Sequence, residues 1–253
     1  MSSWWDKKLQ ERGRRALERQ LDYQEAKAAA IGDQEDEHVR LNFLRSQQIR
    51  QKLSSVGPIA DEDRILEVGS GSHGLVFGLG SRAAFGVDPL AVDYKRLFPR
   101  LQSAARTVAA IGEELPFGDG SFEIVLSDNV IDHGARPLVI IDELVRVLKP
   151  GGILYFTVNV HHPFYELASR AHGIWNAIGL KVELSAFADH TVHFTEQRIA
   201  AAFDRHRLQV VERSSSISET RRAQRLSDRR DADSLLKKIF FKNAVFQLLA
   251  VKE

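Results

Sequence analysis

Apolar residues recur at intervals of three and four across residues 4–54, in a stretch rich in Glu, Gln, Arg, Lys, Ala and Leu and free of proline; this spacing predicts two or three helices. Gly57-Pro58 ends the pattern, and the period then changes. Short apolar runs follow at residues 64–68, 83–87, 107–111, 122–126 and 153–158, with helix-compatible stretches between them. Residues 137–148 have helical spacing and stop at Pro150-Gly151-Gly152, which cannot continue a helix. Such alternation of strand and helix predicts an α/β fold with a doubly wound parallel sheet. Farther on, residues 162–180 read as an inserted helical segment, 195–206 as a helix, and 208–212 and 244–251 as two last strands.

Composition narrows the function classes. A chain of 253 residues, 43% hydrophobic and 27% charged, suits one sizeable domain with appendages. Thirty-five Lys and Arg balance 34 Asp and Glu, so the global charge excess of a dedicated nucleic-acid binder is missing and no DNA partner is expected. The lack of cysteine excludes disulfides, Cys-ligated zinc, iron–sulfur clusters and thiolate chemistry. No apolar run approaches the roughly 18 residues of a membrane span, and the first residues lack a signal-like apolar stretch, so a cytoplasmic setting is expected.

Candidate chemistry begins at Gly69-Ser70-Gly71-Ser72-His73-Gly74, which follows a predicted strand and can open a helix, the context in which backbone approaches a ligand closely. Asp88 ends the next strand, 21 positions after Glu67, where a carboxylate can accept protons from both ribose hydroxyls. Together they indicate an adenosine-type ligand. Glu67 bears on which one: a carboxylate two residues before the first glycine repels a pyrophosphate but suits an ammonium and a sulfonium.

Four blocks in order then carry a resemblance: Leu66-Glu67-Val68-Gly69-Ser70-Gly71, Gly86-Val87-Asp88-Pro89, Glu113-Glu114-Leu115-Pro116-Phe117 with Ser121-Phe122-Glu123-Ile124-Val125, and Arg146-Val147-Leu148-Lys149-Pro150-Gly151-Gly152. Over residues 64–158 the chain resembles the class I S-adenosylmethionine-dependent methyltransferases, in particular the small-molecule branch related to the ubiquinone and menaquinone methyltransferases. The resemblance implies a Rossmann-like sheet of seven strands, six parallel and one antiparallel, with N-terminal helices and helical insertions. It implies S-adenosylmethionine as cofactor and S-adenosylhomocysteine as product. It further implies that Gly69, Ser70 and Gly71 lie against the methionine part and Glu67 holds the amino group. Asp88 would grip the ribose, Pro89 and Leu90 would border the adenine, and Glu113 and Glu114 would lie near the adenine amino group. Ser127, Asp128 and Asn129 would face the methionine moiety and the acceptor. The chain departs from the family pattern at His73, where a third glycine is usual, at Ile111, where an acid is common, and in the polar pair Asp128-Asn129.

The domain reading is a helical cap over residues 1–56 and a methyltransferase domain over 57–253, with insertions at about 161–190 and 216–242. Methyl transfer from a sulfonium needs mainly alignment of nucleophile, methyl carbon and sulfur. His133, shortly after the fourth strand at the carboxyl edge of the sheet, is the candidate general base for a hydroxyl acceptor, with cofactor-side packing as the other reading. His161-His162 and the histidines of Asp189-His190-Thr191-Val192-His193 suit an acceptor pocket or a surface role more than a metal, for which no third ligand stands at a recognisable spacing. Trp4-Trp5 and Trp175 are candidate lid residues. The stretch 219–242 carries eight Lys or Arg against four Asp or Glu and reads first as a solvated helix face, with RNA, anionic lipid or a phosphorylated acceptor as the other contacts. The expected acceptor is a small molecule. A methyltransferase of RNA or protein, a nicotinamide-dependent oxidoreductase and a non-catalytic S-adenosylmethionine-binding module remain the alternatives.

Overall fold

Parallel strands buried on both faces need apolar side chains on both, and Ile65 and Leu66, neighbours in the first run, are both fully buried in different core clusters. In the computed structural model, which describes residues 4–100, 106–167, 192–227 and 232–253, the strands are β1 (Arg64–Val68), β2 (Ala83–Val87), β3 (Thr107–Val108), β4 (Phe122–Asp128), β5 (Leu148–Val160), β6 (Leu208–Ser215) and β7 (Ala244–Lys252). They form one seven-stranded sheet in the order β3-β2-β1-β4-β5-β7-β6. β7 alone runs against its neighbours, pairing antiparallel with β5 and β6. The expected six-plus-one sheet is therefore present.

The helices are α1 (Trp4–Ile31), α2 (Glu35–Ser54), α3 (Ala91–Leu97), α4 (Pro137–Val147), α5 (Glu196–Phe203), α6 (Ile217–Leu226) and α7 (Ala232–Ile239). On one face of the sheet, α4 and α5 bury Ile141, Leu144 and Phe203 against Leu66, Val125 and Phe156. On the other, α2 buries Ile49 and Leu53 against Ile65, Ile124, Leu126 and Tyr155. Pro at the first turn of α4 and the Thr195 hydroxyl accepting from the Arg198 N–H at the start of α5 set the entries of those helices.

Two expectations are corrected. The glycine turn does not open an α-helix: Leu75–Gly78 is a 3-10 turn. Gly78 and Gly80 lie within six residues of Leu75 and Gly80 has φ +87°, so a helix cannot propagate. α2 covers the turn instead, with the Ser46 hydroxyl donating to the Leu75 carbonyl at 2.7 Å and the Gln47 amide to the Gly78 carbonyl at 2.7 Å. The third strand, expected over five residues, is two residues long because it borders the sheet and pairs only with Gly86 and Val87 of β2. The segment expected to be helical after β5 lies outside the described residues from 168 to 191, together with Trp175, Asp189, His190 and Thr191. Among the described residues no helix is long and apolar enough to cross a membrane.

Candidate active site

The carboxyl ends of β1, β2 and β4 bring three acids together. Glu67, in β1, is 2% exposed and accepts a hydrogen bond from the Val76 N–H at 2.9 Å. Burial pushes its carboxyl up to about 8, opposed by that hydrogen bond and by Arg45 and reinforced by the charges of Asp128 and Asp88. Asp88, after β2, accepts from the Leu90 N–H at 2.9 Å and the Gly71 N–H at 3.0 Å. Burial also raises its carboxyl, against these two bonds and one from the Tyr94 hydroxyl. Asp128, ending β4, accepts from the Arg45 guanidinium at 2.6 Å and the Thr157 hydroxyl at 2.7 Å.

The glycine turn is shaped by contact and by conformation. Gly69 has φ +77°, and a Cβ there would stand 2.2 Å from Val130 Cγ1. Gly71, at φ +59°, faces open space that a Cβ would fill without touching any atom. The buried Ser70 and Ser127 hydroxyls and the Asn129 side-chain oxygen around this turn have no hydrogen-bond partner among the described residues. Asn129 is itself left-handed, at φ 57°, its N–H donating to the Thr157 carbonyl and hydroxyl, both at 3.1 Å. A cluster of buried carboxylates, unsatisfied oxygens and open space beside a glycine is the chemistry of a cationic, polyhydroxylated ligand.

Other candidates lie apart from this group. Leu90 is 3% exposed and packs with Ile31, Tyr94 and Phe98, while Leu21 and Ala28 of α1 close over the same cluster. Pro89 is exposed. Glu113 accepts the Arg136 N–H at 3.0 Å, bracing the entry to α4, and Glu114 is exposed. His133 is exposed on a 3-10 turn, Ile131–His133, with its Nε2 at 3.9 Å from the fully buried Asp132 carboxylate. His73 packs on Phe98, ring centroids 5.6 Å apart, and burial next to Lys27 pushes its imidazole down to about 4. The departure at the third glycine is thus absorbed by packing against Phe98 and against His38 of α2, whose ring centroid lies 6.1 Å away.

The far end of the same edge gathers histidines and a lysine. His161 follows β5, Phe194 bridges to Val160, and Lys242-Asn243 leads into β7. His161, Tyr165, His193 and Lys242 are each at most 2% exposed. The His161 and His193 rings meet edge to face at 4.8 Å, and the Lys242 ammonium lies 5.9 Å from the Tyr165 ring centroid. Nδ1 of His161 accepts the Asn243 N–H at 3.2 Å, which places the ring proton on Nε2. Of this group, sequence reasoning found the histidines and missed Tyr165 and Lys242. A lysine interrupting the apolar run Ile239-Phe240-Phe241-Lys242-Asn243-Ala244-Val245-Phe246 was the available signal.

Comparison with known proteins agrees with the geometry. Residues 66–156 match the methyltransferase-domain family. Over that stretch the chain carries a methyltransferase domain. A curated methyltransferase of Mycolicibacterium gilvum, itself uncharacterised, is 41% identical over 76 residues, 30% of either chain. The bifunctional biotin-biosynthesis protein BioHC of Cellvibrio japonicus is 33% identical over 136 residues, 52% of this chain and 26% of that one. The chain spans about a third of the length of the first curated relatives it matches, 30% and 38%. Among solved structures, YcgJ from Bacillus subtilis aligns with a TM-score of 0.57 at 13% identity, covering 82% of this chain and 97% of that one. Geranyl diphosphate C-methyltransferase from Streptomyces coelicolor, solved with S-adenosylhomocysteine, gives 0.57 at 18% identity over 82% and 79%. At such identities these two alignments speak to the fold of the methyltransferase domain.

Proposed function

We propose that the protein transfers a methyl group from S-adenosylmethionine to a small-molecule acceptor. The observation that carries the reading is the trio of acids around a glycine turn, Glu67 and Asp88 buried and Asp128 partly so, with burial holding the Glu67 carboxyl near 8 and leaving it ready to pair with a positive charge. An ammonium and a sulfonium supply that charge; a nicotinamide dinucleotide brings a pyrophosphate that it repels.

In this reading Gly69, Ser70 and Gly71 admit the methionine part, and Glu67 holds its ammonium. Asp88 takes the ribose hydroxyls through lone pairs left by Gly71 and Leu90. Ser127 and Asn129 offer their unpartnered oxygens to the methionine moiety, and Asp128, fixed by Arg45 and Thr157, borders the acceptor. Pro89 and Leu90 lie on the adenine side, with Glu113 and Glu114 beyond. Bound there, the cofactor supplies a methyl carbon on a good leaving group. What remains for the protein is alignment, which contributes on the order of 7 to 11 kcal/mol. His133, exposed at the same edge, removes the acceptor's proton where the acceptor is a hydroxyl. Residues 1–56 act as a cap over 57–253: α1 closes the Leu90 surface and must shift for the adenine to reach it.

Resemblance to small-molecule methyltransferases supports the acceptor class, as does the near-balance of charge. Equilibrium dialysis with S-adenosylhomocysteine and NAD tests the cofactor. Retention of the former alone is the expected result, and retention of NAD contradicts the reading.

A further inference from the structure

Beyond the sheet edge, α6 and α7 pack on one another and project a surface unlike the rest of the domain. Leu226 is 72% exposed, Leu235 50% and Ile239 70%. Leu235 and Ile239 stand one turn apart and so share a face of α7, which ends in Lys237 and Lys238. Along α6, Arg221, Arg222 and Arg225 line an open groove of about 490 Å³ with Ser218 and Leu226. Among the described residues no carboxylate pairs with these three arginines, and Arg221 instead lies over the Phe241 ring at 4.8 Å from its centroid. Exposed apolar side chains cost free energy in water, and cations gathered without acids repel one another. Both features are satisfied at once by a surface with an apolar interior and an anionic skin.

We propose that α6 and α7 dock this protein on an anionic lipid surface, with Leu226, Leu235 and Ile239 entering the acyl boundary and the arginines at the phosphates. The commitment to lipid over nucleic acid rests on the apolar trio: a nucleic-acid backbone pairs with arginines but gives an exposed Leu or Ile nothing to enter. The site is also well placed. α7 leads directly into Phe240, which stacks on Phe164 at 4.3 Å and meets His162 at 4.9 Å, so the docked helices sit beside the carboxyl end of β5. Docking stands independently of methyl transfer. Its consequence, an acceptor delivered from the lipid phase, rests on that reading.

The test is co-sedimentation of the full chain with vesicles of mixed phosphatidylglycerol and phosphatidylcholine, against vesicles of phosphatidylcholine alone. Preferential binding to the anionic vesicles is expected, falling roughly tenfold or more both in Leu235→Asp/Ile239→Asp and in Arg222→Glu/Arg225→Glu. All four side chains are exposed, and circular dichroism with S-adenosylhomocysteine binding verifies that each variant is folded. Absence of vesicle binding by the wild type, or binding unchanged in the Leu235→Asp/Ile239→Asp variant, overturns the proposal. Single-stranded RNA binding that the arginine variant loses and the Leu235→Asp/Ile239→Asp variant keeps reassigns the surface to nucleic acid. Cofactor binding measured in parallel separates failure here from failure of the methyltransferase reading.

Discussion

One end of the sheet edge gathers acidic side chains and the other gathers histidines and a lysine. Around β1, β2 and the end of β4 lie Glu67, Asp88 and Asp128; around the end of β5 and the start of β7 lie His161, His193 and Lys242. Both groups are largely buried, and burying ionisable groups costs free energy that packing alone does not require. The acidic end is also the end with the glycine turn and the unpartnered Ser70, Ser127 and Asn129 oxygens. Fold alone asks for neither sign of charge. The asymmetry supports the proposal of a cationic ligand at the acidic end.

The most damaging way to break this comparison is at Gly69. Gly69→Ala forces a Cβ against Val130 in a left-handed backbone conformation. It is expected to cost roughly 2 to 5 kcal/mol of stability in a denaturant titration, and to abolish cofactor binding. Asp88→Ala comes next, with a loss of about 1 to 3 kcal/mol in the binding of S-adenosylmethionine, read by calorimetry. Lys242→Met sharpens the contrast: at the other end of the edge, it should leave cofactor affinity within about 0.5 kcal/mol of the wild type. An equal loss in both variants would erase the distinction between the two ends. Arg45→Ala leaves Asp128 with Thr157 as its remaining partner, and because Arg45 is half-exposed the stability cost should stay below about 1 kcal/mol.

Much of the acidic end was legible in the sequence because its parts lie close together: Glu67 stands two residues before Gly69-Ser70-Gly71, and Asp88 closes the next short run. The seven-stranded sheet with a single reversed strand followed from the resemblance those blocks carry, but its strand order did not. Illegible were the partners supplied from far away. Arg45 reaches Asp128 across 83 residues, Thr157 across 29, and Tyr94 joins Asp88 to the cap. Nothing local announces such pairs. The short 3-10 turn after the glycines was missed because α2, not the turn's own helix, covers that face. The basic end was half legible, since His161-His162 and His193 stand out in the chain whereas Lys242 and Tyr165 join them only through tertiary packing.

Glu67 gives the comparison a pH signature. Its folded carboxyl titrates near 8 against an ordinary 4.5, so between those values the folded state holds the proton that the unfolded state has lost. Stability from this group is present below about 4.5 and falls as pH rises toward about 8, and Glu67→Gln should flatten that fall. A cation bound beside Glu67 reverses the preference and expels the proton.

Calorimetric titration of S-adenosylmethionine near neutral pH, repeated in two buffers of different ionisation enthalpy, tests this most directly. The account predicts binding accompanied by proton release in the wild type, with the release lost in Glu67→Gln. Binding without any proton release, or no binding while NAD binds, would contradict it.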